Sequence, residues 1–417
     1  MLARVLKWVV VAVVLAAVVA ALAAPQFCKR LLAASIYGLD DAPLWVYKPR
    51  LKIAGASSAG MPHVSAEDQQ IDPAALKLAA EYAEAHGSRA LIVSRRSHLV
   101  MELYWDGADG RVLASSGDLS QALTAVMLGI AIGESKIGSV DEPAANYIKE
   151  WQSDSRNRIR IRDLAQMSSG LQPLAYGDTR ERLFADTRTR DLSRPLEGTP
   201  GERWVRQNID PQMLALVIER ATGEPYARYV SDRLWKRLGA SDAYFWEDRQ
   251  GGAPHADCCM LARPGDWMRL AEVLANDGVY LGDEIVRPGW VNQMFTPAKG
   301  NPRYGFNVWL NGTSLRTAAS AASEADGNSG GAGSRVGYTG ESISVSDMIF
   351  INGGRLRLWV SPSLRLSILR IGGGRDGKDL SDSRIPNLIV SGLRDYRPPT
   401  PSAAEKKIDP SLYAPGH

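Results

Sequence analysis

Cysteine is scarce in this chain: three of 417 residues, at Cys28, Cys258 and Cys259. An odd, sparse set is not a disulfide framework. The adjacent pair reads as two buried thiols in preference to a vicinal disulfide. Histidine is scarce as well, with five residues. His255-Ala256-Asp257-Cys258-Cys259 holds metal-ligand types, but the spacing matches no zinc pattern, so no metal and no cofactor is expected. An excess of one charge is also missing. The 49 Lys+Arg face 46 Asp+Glu, for a net +3, which gives no electrostatic reason to expect nucleic acid. Long apolar runs are missing except for one, which excludes a polytopic membrane protein. The remainder, 45% hydrophobic and 23% charged, is ordinary globular composition and excludes disordered, collagen-like and coiled-coil classes.

The exceptional run is Trp8 to Ala24, 17 apolar residues behind Arg4 and Lys7. At about 1.5 Å per residue it covers roughly 25 Å, just short of a hydrocarbon core. It reads as an uncut signal-anchor over residues 1–26, a transmembrane helix. The rival reading is a cleaved signal, for which Ala21-Leu22-Ala23 offers a cut. Both put the remainder outside the cytoplasm. The expected location is a bacterial inner membrane, crossed once, with the main domain in the periplasm or outside the cell.

Residues 27–65 read as a linker arm with little periodic pattern, 66–396 as the main domain, and 397–417 as a Pro-rich tail. Asp72-Pro73 starts a helix that runs to about His86. Arg89–Ser94 and Leu99–Tyr104 read as strands joined by a short basic turn. Leu119–Ile132 has no polar face and is too long for a strand, so it should be a helix buried all round. Helical patterns follow near 161–167, 210–222, 225–238 and 264–278. Tyr304–Leu310 reads as a strand and 318–334 as a flexible Ala/Gly/Ser-rich loop. Strands near 343–351, 355–361 and 365–371 precede a last helix over 383–394. The order predicts an α+β fold: an antiparallel sheet built from both ends of the chain and flanked by helices. An all-helical subdomain, about 118–240, is inserted between them.

Two motifs are set aside as chance. Gly327-Asn328-Ser329-Gly330-Gly331 fits Gly-x-Ser-x-Gly but lacks the strand and helix that a nucleophile elbow needs. Gly372 to Asp379 fits Gly-x4-Gly-Lys, but Asp379 stands where a magnesium-binding hydroxyl is required. Trp151, Trp204, Trp235, Trp246, Trp267 and Trp290 are expected mostly in the core. The Arg156–Arg162 run is expected to lead into a helix with its charges in solvent.

Five stretches carry a resemblance. They are LTAVMLGIAIGESKIGSVDEPAANYI, IRIRDLAQMSSGL, TPGERWVRQNIDPQMLALVIERATGEPY, DCCMLARPGDWMRLAEVLANDGVYLGDEIVRPGWV and LWVSPSLRLSILRIG. Together they resemble the serine β-lactamase and penicillin-binding-protein superfamily over roughly 75–395. The likeness is strongest to class C β-lactamase-related hydrolases, including esterases and aminohexanoate-dimer hydrolases. The resemblance implies the β-lactamase-like sheet with its helical subdomain. It also implies a serine nucleophile at the start of a buried helix, a lysine one turn later, a Tyr-x-Asn loop, and a Gly-rich or Lys-Thr-Gly strand.

The catalytic residues themselves are altered. Counting back from Gly129-Ile130-Ala131-Ile132, the serine position holds Asp118 and the lysine position Gln121. No Ser-x-x-Lys occurs anywhere in the chain. Tyr-x-Asn aligns with Arg206-Gln207-Asn208. The strand motif aligns near Asn352-Gly353-Gly354-Arg355, and Tyr338-Thr339-Gly340 lies too far upstream to replace it. An amide is not basic and a guanidinium stays protonated, so Gln121 and Arg206 cannot do the work of lysine and tyrosine. Ser115, Ser116 and Ser120 are near, but none has a lysine three residues on.

Asp118 with Gln121 reads instead as a capping box for the buried helix. Asp118 and Arg206, of opposite charge, are expected to pair and partly plug the cleft. The first expectation is therefore a membrane-anchored pseudohydrolase that binds a cell-wall fragment, a small ligand or a protein partner. The alternatives are an active hydrolase of esters, amides or β-lactams with a non-standard site, and an assembly protein using the fold as a scaffold.

Overall fold

The computed structural model describes residues 8, 25–37, 43–56, 58, 60–173, 183, 186–311, 343–353, 355–372 and 380–397. The apolar run beyond Trp8, the 318–334 loop, both set-aside motifs apart from Gly372, Tyr338-Thr339-Gly340, Gly354 and the tail beyond Arg397 lie outside them. No described helix is long and apolar enough to cross a membrane.

The larger sheet has six antiparallel strands. Their spatial order is His98–Tyr104, Ser88–Arg95, Leu366–Gly372, Leu356–Ser361, Ile349–Gly353 and Trp309–Leu310. Strands from the two ends of the chain thus meet at its centre, where Ile92 opposes Leu369. Alternation along each strand sends neighbouring side chains to opposite faces. Leu91, Val93, Ile368, Phe350 and Trp359 join one core, with the helices Pro73–Ala85 and Arg384–Ser391. Ile92, Leu358, Val360, Leu369 and Ile351 join the other, beneath the helices Pro264–Ala275 and Leu119–Gly133. Both faces are covered, so these strands read as nearly continuous apolar runs.

The helix Leu119–Gly133 is buried from Leu119 through Ala131, as its lack of a polar face requires. It packs against the helix Ile209–Thr222. Gly129 is small because a Cβ there would come within 2.4 Å of the indole Nε1 of Trp290, which donates to the carbonyl of Ala125. A second sheet, in the order Arg50–Ile53, Ala243–Trp246, Met260–Ala262 and Ala114–Ser115, leads the chain into the start of that helix.

Several sequence expectations need correction. The arm is not featureless: it contains the helix Pro25–Tyr37 and the strand Arg50–Ile53. That helix escaped detection because Leu31, Leu32 and Ile36 face outward while Arg30 is buried. Of Tyr304–Leu310 only Trp309–Leu310 is strand; Asn307 takes φ +55° and the backbone turns there. The strand expected from 343 starts at Ile349, because Asn311 Nδ2 and the Asp347 carboxylate fold the preceding residues into turns. The helix expected over 225–238 is Tyr226–Val230, followed by a wider turn at Ser231–Trp235. Arg156 is not a solvent charge. It lies over the Trp151 ring and bonds Asp154 and the Leu192 and Arg194 carbonyls.

Candidate functional site

Three segments converge at the start of the buried helix. Ala114–Ser115 delivers the chain to Asp118, the last residue before the helix. Gln121 follows one turn later. Asn208 precedes the helix Ile209–Thr222, with Arg206 just upstream. The segment Asp257–Met260 supplies the floor. All four sequence-predicted residues, Asp118, Gln121, Arg206 and Asn208, are brought together.

Arg206 Nη2 lies 2.8 Å from Asp118 Oδ2, with the Arg206 side chain 30% and the Asp118 side chain 14% exposed. The expected ion pair therefore forms. The expected capping box does not. Asp118 has helical backbone angles (φ −65°, ψ −8°), and its side chain caps no backbone N–H. Its carboxylate is turned out of the capping position, toward the guanidinium, and Gln121 Nε2 reaches its other oxygen at 3.3 Å.

Gln121 Nε2 also donates to the Asp257 carbonyl at 3.0 Å and to Asn208 Oδ1 at 3.3 Å. Asn208 Nδ2 donates to the Asp257 carboxylate at 2.9 Å. Asp257 thus fixes both amide-bearing positions at once. Sequence reasoning weighed Asp257 only as a metal-ligand type and gave it no role at this site; the signal for one was its place at the head of a family-like stretch. The loop alternates its side chains. Arg206 points to Asp118, Gln207 turns inward to Asp210 and Ser169, and Asn208 turns to Asp257.

Asp210 is fully buried. Its carboxyl accepts from Ser169 Oγ at 2.5 Å and Gln207 Nε2 at 3.0 Å. Burial nevertheless wins and pushes its pKa up to about 7. Tyr304 is buried beside the pair. Burial first, then the Asp118 carboxylate, raises its phenol well above the ordinary range. A phenol held neutral in this way is no proton acceptor near neutral pH. Trp204 and Trp309 pack against it, with ring centroids 5.5 and 5.1 Å away.

The strand that aligned with the family's Gly-rich motif ends at Gly353, hard against the turn before the helix. A Cβ on Gly117 (φ +49°) would fall 2.2 Å from Gly353 Cα, and one on Gly353 would fall 2.4 Å from the Ser116 carbonyl oxygen. Glycine is required on both sides of this backbone crossing. Ser116 and Ser120 bond each other at 2.5 Å and receive the Met260 N–H. Both hydroxyls serve the packing of the helix start.

The cysteines require a further correction. Cys258 and Cys259 are joined as a vicinal disulfide with Cα atoms 3.7 Å apart, not two thiols. The expectation of thiols rested on the strain of such rings. Here Cys259 takes φ +68°, and the pair is buried against Tyr47, Trp246 and Leu261. His255, Asp257 and Cys258 bring potential ligand atoms within 4.8 Å of one another. With the sulfur held in the disulfide, two donors remain, which does not fit a four-coordinate metal.

A two-sided antiparallel sheet, a buried helix and an interposed helical region, with the site at the helix start, define a β-lactamase-like fold. The chain belongs to the β-lactamase family, whose sequence model matches residues 77–361. It is 28% identical over 229 residues to the 6-aminohexanoate-dimer hydrolase of Paenarthrobacter ureafaciens, covering 49% of this chain and 56% of that one. It is 24% identical over 193 residues to a Salmonella typhimurium protein named for D-alanyl-D-alanine carboxypeptidase activity, covering 39% and 44%. The matched region thus spans about half the length of these relatives. Among solved structures, one from Bacillus anthracis named for 6-aminohexanoate-dimer hydrolase aligns with a TM-score of 0.62 at 16% identity. It covers 87% of this chain and 91% of that one, a likeness of fold.

Proposed function

We propose that this chain is a membrane-tethered, exported β-lactamase-family protein whose site binds rather than cleaves. One observation carries the reading: the Asp118–Arg206 ion pair, 2.8 Å long, occupies the positions that resemble the family's serine and tyrosine. Acyl transfer needs a hydroxyl or thiol nucleophile with a base in reach. Here the positions offer a carboxylate, whose acyl product would be an anhydride, beside a permanent cation and a non-basic amide. The tether is the Trp8–Ala24 run behind Arg4 and Lys7.

The ligand we favour is a cell-wall peptide fragment. The relatives are named for D-alanyl-D-alanine and the 6-aminohexanoate dimer, short amide-linked compounds with free termini. Charged groups and the half-buried Trp204 indole suit such a molecule.

The test uses the purified full chain in detergent with a β-lactam, an aryl ester and a D-alanyl-D-alanine peptide. The expected result is no turnover and no covalent adduct by mass spectrometry, with saturable binding of the peptide. The triple variant D118S/Q121K/R206Y is expected to gain an adduct with the β-lactam. Turnover by the parent chain that Asp118→Ala abolishes would overturn the proposal.

A further inference from the structure

Half of the ten large apolar side chains exposed among the described residues fall within a single stretch of fifteen. Leu31, Leu32 and Ile36 are 44%, 60% and 56% exposed, and Leu44 and Trp45 are 38% and 44% exposed. The first three lie on the helix Pro25–Tyr37. A cluster of this size on a soluble surface marks a contact site.

The helix is not free to roll these side chains inward. Its opposite side is fixed to the domain. Phe27 and Ala34 pack on the cluster of Tyr47, Trp246 and the Cys258–Cys259 disulfide. Buried Arg30 lies 4.6 Å above the Trp246 ring and donates to the Glu247 carbonyl at 2.9 Å. Lys29 reaches over Trp45 at 5.1 Å. This joins the helix to the Leu44–Trp45 turn and leaves an amphipathic lysine and an indole side by side. That pairing suits the boundary between headgroups and acyl chains.

The order of the chain identifies the occupant. The 17-residue apolar run ends at Ala24, and the helix begins at the next residue. If the run spans the bilayer, as proposed above, the helix leaves it within one residue of the membrane surface. Its 13 residues, about 20 Å long, then travel at headgroup level with the apolar side unpaired.

We propose that Leu31, Leu32, Ile36, Leu44 and Trp45 form a lipid-contacting face that seats the domain on the bilayer, so that the domain does not swing freely from its tether. The inference rests on the tether reading. It adds a fixed orientation, because the helix is rigidly joined to the segment that carries Asp257.

Spin labels test it on the full chain in vesicles of phosphatidylcholine and phosphatidylglycerol. Labels are placed singly at Leu32→Cys and Ile36→Cys in a Cys28→Ser background. Lys77→Cys, whose parent side chain is 77% exposed on the helix Pro73–Ala85, serves as the aqueous control. The proposal expects the chain to float with the vesicles. It also expects the oxygen-to-nickel-chelate accessibility ratio at both test positions to exceed that at position 77 severalfold. Flotation with water-like ratios at 32 and 36 overturns the lipid-facing surface and leaves the tether intact. Loss of both relaxants together with dipolar broadening means a second copy covers the face, which also overturns it. Failure to float sinks the tether reading and this proposal with it.

Discussion

A double-mutant cycle on Asp118 and Arg206 tests whether the ion pair is a built element of the site or a chance surface contact. The two side chains are 14% and 30% exposed, so solvent screening is partial. Opposite charges about 4 Å apart at an effective dielectric near 20 attract by ~4 kcal/mol before desolvation. Desolvation and side-chain ordering remove much of this, and a coupling of about 1–2 kcal/mol should remain. Arg206→Met leaves a mostly buried carboxylate with one long bond from Gln121, and should cost about 2–3 kcal/mol. Asp118→Asn keeps the shape and the Gln121 contact, and should cost about 1–2 kcal/mol. The double variant should be less unstable than the two losses added together. Urea unfolding of the full chain in one detergent, followed by tryptophan fluorescence, reads all four corners. A coupling under about 0.3 kcal/mol would place the pair among surface bridges of no consequence, and the argument from paired replacement would fail.

Three other outcomes follow from the geometry. Asp210, with its pKa pushed up to about 7, should favour the folded state when protonated. Its contribution is full below the unfolded value near 4 and is lost as pH rises through 7. Asp210→Asn should therefore flatten the fall in melting temperature between about pH 4 and 7, and an unchanged slope would exclude Asp210 as its source. Gly353→Ala puts a Cβ against the Ser116 carbonyl oxygen and should cost about 2–3 kcal/mol; a neutral effect in thermal melts would show that the crossing is loose. Gly129→Ala collides with the Trp290 indole and should cost about 1–3 kcal/mol, with a changed Trp290 emission. Wild-type stability there would refute the tight seat of that indole.

Legibility in the sequence followed the strength of periodicity. The helix Leu119–Gly133 was readable because 13 consecutive buried positions leave no polar side. The strands Ser88–Arg95 and Leu366–Gly372 were readable as apolar runs between turns. The helix Pro25–Tyr37 was hidden because Leu31, Leu32 and Ile36 face outward while Arg30 is buried, so polarity does not mark its inner side. Asn307 broke an apparent strand by turning its backbone to φ +55°, a choice that local composition does not announce. Of the site, the charge complementarity of Asp118 and Arg206 could be anticipated from alignment to family motifs. That the pairing would exclude the expected capping bond could not. An aspartate at a helix start can reach either the free N–H groups or a neighbouring cation, and only the position of Arg206 decides between them. Asp257 was missed for a similar reason: its role is to bind two amides brought from distant segments.

On the proposed reading, the residues at the family's expected catalytic positions make physical sense only as a set. Asp118 alone would put a carboxylate in a largely dehydrated crevice, at a cost of several kcal/mol. Arg206 in place of a tyrosine would leave a guanidinium facing the same crevice without an anion. Gln121 in place of a lysine removes an amine that could also have neutralised Asp118, so the guanidinium must supply that charge. The amide then has a different task, joining Asp118, Asn208 and the Asp257 carbonyl through one nitrogen. On the proposed reading, a carboxylate, an amide and a guanidinium stand where the resemblance implies a hydroxyl, an amine and a phenol. Chemistry of the family's kind requires proton movement between these three places. A network made of a carboxylate, a guanidinium and two amides joins helix, loop and floor, and on the proposed reading it would oppose that movement. On the proposed reading, the same residues that stabilise the junction would prevent turnover.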